Sequence, residues 1–190
     1  MIKYLLIGFS IGFFNYLYQL KKQIQYNCSE KKNKDFKLVC INIQRLPIYS
    51  RNIPQFIYEN SYDIICMQEY FMDFLGRRNY NLMKTGYNFC VTGTKDYLKG
   101  DSGLVVLSKY PIKFIEFIKF KESASVDSLI EKGFMVLLIN NLYIINTHLQ
   151  ANYKGSDNSK IIKKQLNEIF EYIIRNKLHT KKCLLVGDFN

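Results

Sequence analysis

An α+β fold is predicted by three features of the sequence. Short apolar runs rich in β-branched residues recur along the chain, a strand, helix, strand unit opens the folded part, and one strongly periodic amphipathic stretch lies near the carboxyl end. The 190 residues are 48% hydrophobic and 23% charged, which suits a chain that buries a core and excludes disordered, collagen-like and wholly membrane-embedded polypeptides. One folded domain is expected. The formal charge of +11 would attract phosphate-rich partners, lipid headgroups or nucleic acid. Lysine is abundant along the whole chain, so the charge does not choose between them.

Residues 4–20 carry no charge, are flanked by Lys3 and by Lys21 and Lys22, and are nearly long enough to span a bilayer. Residues 1–26 are therefore read as a membrane anchor. A secretory signal is the main rival, although no clear small-x-small cleavage site follows, and a buried core helix is the third reading. Lys21, Lys22, Lys31, Lys32, Lys34 and Lys37 outweigh Lys3, which predicts a membrane protein with its domain on the cytosolic side, secretion being the alternative. Cys28, Cys40, Cys66, Cys90 and Cys183 are odd in number, widely spaced and without zinc-type pairing, so they read as reduced thiols. The polar stretch 27–35 (NCSEKKNKD) reads as a linker, and the domain occupies 36–190.

Within that domain, FKLVCINI (36–43) and DIICMQ (63–68) are apolar enough for strands, with a helix-like segment over 53–60 between them. Further strands are predicted at 87–92, 103–108, 112–120, 134–139 and 142–147, the last two joined by the hairpin dipeptide Asn140-Asn141. Over 158–177 the pairs Ile161/Ile162, Gln165/Leu166, Ile169/Phe170 and Ile173/Ile174 recur every four residues, which predicts a helix capped by Asn158 or Ser159. A last strand runs over 183–186.

Polar residues gather where these strands end: Asn42 after LVCI, Glu69 after IICMQ, His148 after IINT, Asp188 and Asn190 after LLVG. Any one of them is explained by a turn, a cap or a satisfied side chain. Recurrence after four separate strands is not, and points to a catalytic rim.

The ordered segments LVCINIQRLP, DIICMQEYF, SGLVVLSKYPI, NTHLQA and LLVGDFN resemble the signatures of the endonuclease/exonuclease/phosphatase superfamily. Within it, DSLIEKGF (127–134), NTHLQANY and QLNEI are most similar to neutral and bacterial sphingomyelinases. The resemblance implies a four-layer αββα sandwich with a divalent metal, Mg2+, at the rim. It implies Glu69 as metal ligand with Asn42 beside it as an amide oxygen or as a donor to phosphate, and His148 and Asn190 as donors to phosphoryl oxygens. Asp188 would orient the nucleophilic water or a histidine, and Lys132, partnered by Asp127, would reach the substrate phosphate. The implied reaction releases phosphocholine and ceramide from sphingomyelin in a membrane carrying anionic phospholipid.

One departure accompanies the match. The superfamily places an Asp-His segment carrying its general base beyond the GDFN motif, whereas His148 and His179 are the only histidines here, and His179 sits in the polar stretch HTKK. The expectation is a sandwich incomplete at its carboxyl end, with doubtful activity on its own. Two other readings remain: a nuclease or other phosphoesterase of the same fold acting on nucleic acid, and a catalytically dead membrane-bound relative.

Overall fold

The computed structural model describes residues 37–45, 60–71, 87, 89–93, 101–153 and 155–190. The expected anchor (1–26), linker (27–35) and all but the last residue of the helix expected over 53–60 lie outside them; Asn60 itself sits in a turn. Among the described residues there are eight strands and one long helix. They are β1 (Leu38–Arg45), β2 (Ile64–Tyr70), β3 (Phe89–Thr92), β4 (Val105–Ser108), β5 (Lys113–Lys119), β6 (Gly133–Ile139), β7 (Leu142–His148), α1 (Ser159–Arg175) and β8 (Cys183–Asp188). Each falls on a segment whose sequence predicts it.

The strands form two four-stranded mixed sheets, ordered β1-β2-β4-β3 and β5-β6-β7-β8. Strand β1 runs parallel to β2 and β7 parallel to β8, so each sheet brings two carboxyl ends to one edge. Their alternating side chains build three layers of core. Ile64, Cys66 and Val106 of the first sheet pack with Met135, Leu137 and Ile144 of the second. Phe134, Val136 and Ile145 point the other way, onto Ile169 and Tyr172 of α1. Ile65, Met67 and Leu107 enter a separate buried cluster on the far face of the first sheet. Burial on both faces is why these strands read as unbroken apolar runs rather than alternating ones. The arrangement is the αββα type of sandwich.

Local chemistry fixes the joints. Asn140 and Asn141 both take positive φ, 47° and 65°, the conformation of a tight hairpin turn whose twist matches the flanking strands. Gly187 has φ +151° and lies against Thr147, where a Cβ would collide with the Thr147 carbonyl. Glycine at that point lets β8 close on β7 and sets Asp188 opposite His148 in the ladder.

Two expectations for α1 need correction. Asn158 occupies the cap position, but its side chain donates to the Ala151 carbonyl (2.8 Å) and makes no capping bond, while Asp157 accepts from the Ser159 N–H (3.0 Å). The paired pattern also overstates the buried stripe. Gln165, Ile169 and Tyr172 are the buried residues, whereas Phe170 and Ile174 are 50% and 64% exposed. The reason is that the sheet meets only one narrow face of a helix already packed by Tyr172 edge-on against Phe134.

Candidate active site

The two parallel pairs meet at the rim, and there the side chains singled out by the strand ends come together. Asn42 lies on β1 and Glu69 on β2, where two residues of β1 face one of β2: Asn42 pairs with Gln68, and Arg45 with Tyr70. Glu69 stands at this bulge with φ 56°, and Gln44 across from it has φ 47°. A non-glycine residue in the left-handed region costs on the order of 1–3 kcal/mol. Here the kink re-aims a carboxylate that a regular strand would direct elsewhere.

Asn42 is the joint of the site. Its Nδ2 donates to Glu69 Oε1 (2.7 Å) and to Asp188 Oδ2 (2.8 Å), tying the two sheets together across the rim, while its Oδ1 accepts from the Gln44 N–H (3.0 Å). As placed, the amide oxygen is committed to backbone and the amide nitrogen holds two carboxylates in register. Asp188 Oδ1 accepts from the Asn190 N–H (3.0 Å), and Asn190 Nδ2 donates to the Leu149 carbonyl (2.9 Å). His148 Nε2 lies 3.9 Å from Glu69 Oε1, and ligand atoms of Glu69, His148 and Asp188 all fall within 4.8 Å of one another.

The electrostatics of the site are those of charges taken out of water. Burial raises the carboxyl of Glu69 above its ordinary range, against the hydrogen bond from Asn42, and burial does the same to Asp188. Burial, aided by the charge of Lys132, pushes His148 well below the usual histidine value. This favours the neutral imidazole, which is compatible with the donor role expected of His148. One N–H remains for donation, and its buried Nδ1 has no hydrogen-bond partner among the described residues.

Lys132 and Asp127 form no surface ion pair. Their side chains are 1% and 6% exposed, with Nζ 3.3 Å from Asp127 Oδ1 and donating to the Leu149 carbonyl (2.7 Å). Asp127 is further held by the Ala151 N–H (2.8 Å) and the Tyr153 hydroxyl (2.9 Å). Burial lowers the Lys132 pKa, and Asp127 opposes that shift. His179, by contrast, is exposed in the short turn Leu178–Thr180, away from this constellation.

Two supporting residues escaped the reading of strand ends. Gln68 Nε2 donates to Asn146 Oδ1 (2.7 Å), and Asn146 Nδ2 to the Met67 carbonyl (3.3 Å), a buried link between the sheets directly beneath Glu69 and His148. Their signal was a lone amide inside an otherwise apolar strand. Cys40, Cys66 and Cys183 are free thiols, with Cys40 pushed up to about 12 by burial and thus inert.

The donor set fits a hard divalent cation. Two carboxylates sharing one amide bridge, Asp188 buried and Glu69 partly so, are destabilised by each other's charge, and Mg2+ is commonly held by one or two carboxylates with the remaining positions left to water and phosphate. Glu69 and Asp188 would hold it, leaving His148, a nitrogen donor less suited to that ion, for the substrate.

Comparison with known proteins identifies the family and the fold. Residues 26–190 match the endonuclease/exonuclease/phosphatase family. The chain belongs to that family. In sequence the chain is similar to a sphingomyelinase of Dictyostelium discoideum, 30% identical over 169 residues, a match covering 68% of this chain and 37% of that relative. In structure the chain resembles beta toxin from Staphylococcus aureus with bound magnesium ions (TM-score 0.63, 24% identity, covering 83% of this chain and 65% of that one). It also resembles a Neisseria 3′ phosphatase bound to a product DNA hairpin (TM-score 0.58, 19% identity, 80% and 56% covered). The family's sandwich is thus shared by proteins that act on quite different phosphate esters.

Proposed function

We propose that this family member is a divalent-cation-dependent phosphodiesterase that hydrolyses sphingomyelin to ceramide and phosphocholine. The observation that supports the reading best is the pair of carboxylates, Glu69 and Asp188, clasped by Asn42 beside neutral His148 and buried Lys132. Similarity to a sphingomyelinase supports the choice of substrate. Hydrolysis breaks the bond between phosphorus and the ceramide oxygen, joins water oxygen to phosphorus, and delivers a proton to the departing oxygen. Mg2+ is the cation proposed, and when bound it supplies charge neutralisation at the phosphoryl group and a more acidic water.

The chain's own residues divide the rest. Lys132 brings a desolvated positive charge whose attraction for phosphate is little screened. His148 and Asn190 offer N–H groups to oxygens on which charge accumulates, and Asp188 accepts a hydrogen bond from the attacking water and so sets its direction. Asp127 positions Lys132.

Phosphocholine release from sphingomyelin vesicles with Mg2+ present is the expected result, abolished by chelation. Nucleotide release from DNA under the same conditions, with no phosphocholine, would instead assign the site to nucleic acid. The apolar segment 4–20 is proposed to anchor the protein on the membrane with the domain in the cytosol; among the described residues no helix is long and apolar enough to cross a bilayer. Retention in the pellet after alkaline carbonate extraction is expected, and full release would remove the anchor.

A further inference from the structure

Between β5 and β6 the chain makes a single 3-10 turn, Ser125–Leu129, that faces two ways. In such a helix side chains three apart eclipse one another. Val126 and Leu129 accordingly share one face, and they are 62% and 66% exposed, the two most exposed large apolar side chains of the described loops. Asp127, between them, points inward and is the residue that grips Lys132, the Ala151 N–H and the Tyr153 hydroxyl. Tyr153 itself is 38% exposed.

This is not a loose loop that happens to display apolar groups. Gln150 accepts from the Ala124 N–H (2.8 Å) and donates to its carbonyl (3.2 Å), and Gln165 of α1 donates to the Glu122 carbonyl (2.8 Å) while accepting from the Gln150 N–H (2.8 Å). The turn is pinned to the rim from behind. Exposed Lys121 and Glu122 lead into it, and the first half of α1, to which it is tied, carries exposed Lys160, Lys163 and Lys164, the last paired with Glu122, which leaves the surroundings of the turn net positive. An apolar pair backed by lysines complements an interface whose surface is anionic and whose interior is hydrocarbon.

We propose that Val126 and Leu129 form a lip that enters the membrane surface beside the active site. The choice of a lipid surface as partner rests on the proposed lipid substrate. The lip would bring the rim beside Lys132 down to the headgroup layer, so that a phosphodiester can reach the rim while its chains stay in the bilayer.

The protein contains no tryptophan, so Leu129→Trp and Val126→Trp each introduce a unique fluorophore into the full chain. Both sites are exposed and accept the larger ring; unchanged far-ultraviolet circular dichroism verifies the fold. Vesicles of phosphatidylcholine and phosphatidylserine, without sphingomyelin, are expected to shift the emission of both variants to the blue and to expose it to quenching by brominated acyl chains. Phe170→Trp, on the outer helix, is expected to show neither change and controls for tethering through other segments. Unshifted emission at both lip positions, or an equal shift at Phe170, overturns the proposal and leaves the apolar pair to a protein partner. Insertion without sphingomyelin hydrolysis would defeat the substrate assignment and leave the lip standing; hydrolysis with both lip fluorophores in water would defeat the lip alone.

Discussion

Asp127→Ala is expected to destabilise the fold by about 3–5 kcal/mol, the usual result of breaking one partner out of a buried ion pair. The substitution strands Lys132, whose side chain is 1% exposed, and leaves the Ala151 N–H and the Tyr153 hydroxyl without their acceptor. The pH dependence gives the cause away. Burial already lowers the folded-state pKa of Lys132, and removing Asp127 lowers it further. Between that value and the ordinary lysine pKa the unfolded chain binds the extra proton, so stability rises with pH across the window. The variant should therefore recover part of its loss as pH is raised towards the ordinary lysine range, and Asp127→Ala combined with Lys132→Met should recover it at neutral pH. Urea denaturation at two pH values measures both. A loss below about 1 kcal/mol, or no recovery in the double variant, would mean that the pair is screened as a surface pair is.

Glu69→Gln is expected to separate stability from chemistry. The neutral amide keeps the bond from Asn42 but removes a carboxylate whose folded-state pKa is raised, chiefly by burial. A raised carboxyl pKa means that the folded state loses stability as pH rises through it. At pH 7 and without Mg2+ the variant should thus melt at a higher temperature than the parent. Added Mg2+ should reverse the order, because a ligand at a hundredfold excess over its Kd contributes about 2.7 kcal/mol to the parent and little to a protein that has lost a ligand. Phosphodiester hydrolysis should fall by about 100-fold or more. Equal Mg2+-induced melting shifts in the two proteins would remove Glu69 from the metal site.

Much of this molecule was legible as sequence, for identifiable reasons. Strands such as IICM and FMVLLI are buried on both faces, so their composition announces them without any help from periodicity. The rim was legible because parallel neighbours end together, which makes Asn42, Glu69, His148 and Asp188 recur at the same place in four runs. What escaped was whatever depends on direction. Nothing in QEY says that Glu69 turns through a left-handed φ, and Asn42 reads equally well as an oxygen donor until its Nδ2 is seen between two carboxylates. The charge of His148 escaped too, since a residue's protonation depends on depth and on Lys132, which stands 16 positions earlier. In the helix, a fourfold pattern marks apolar residues without saying that Phe170 and Ile174 stay in water.

The left-handed Glu69 carries an implication for how such a chain evolves. Its backbone conformation is one that glycine, and to a lesser degree asparagine, adopts with less strain, and its partly desolvated charge beside Asp188 is a second liability. Under the proposed function, the stability of the fold and the chemistry of the rim therefore pull in opposite directions at a single codon. If Glu69 is replaced and the cation forgone, the protein should become sturdier as it loses activity.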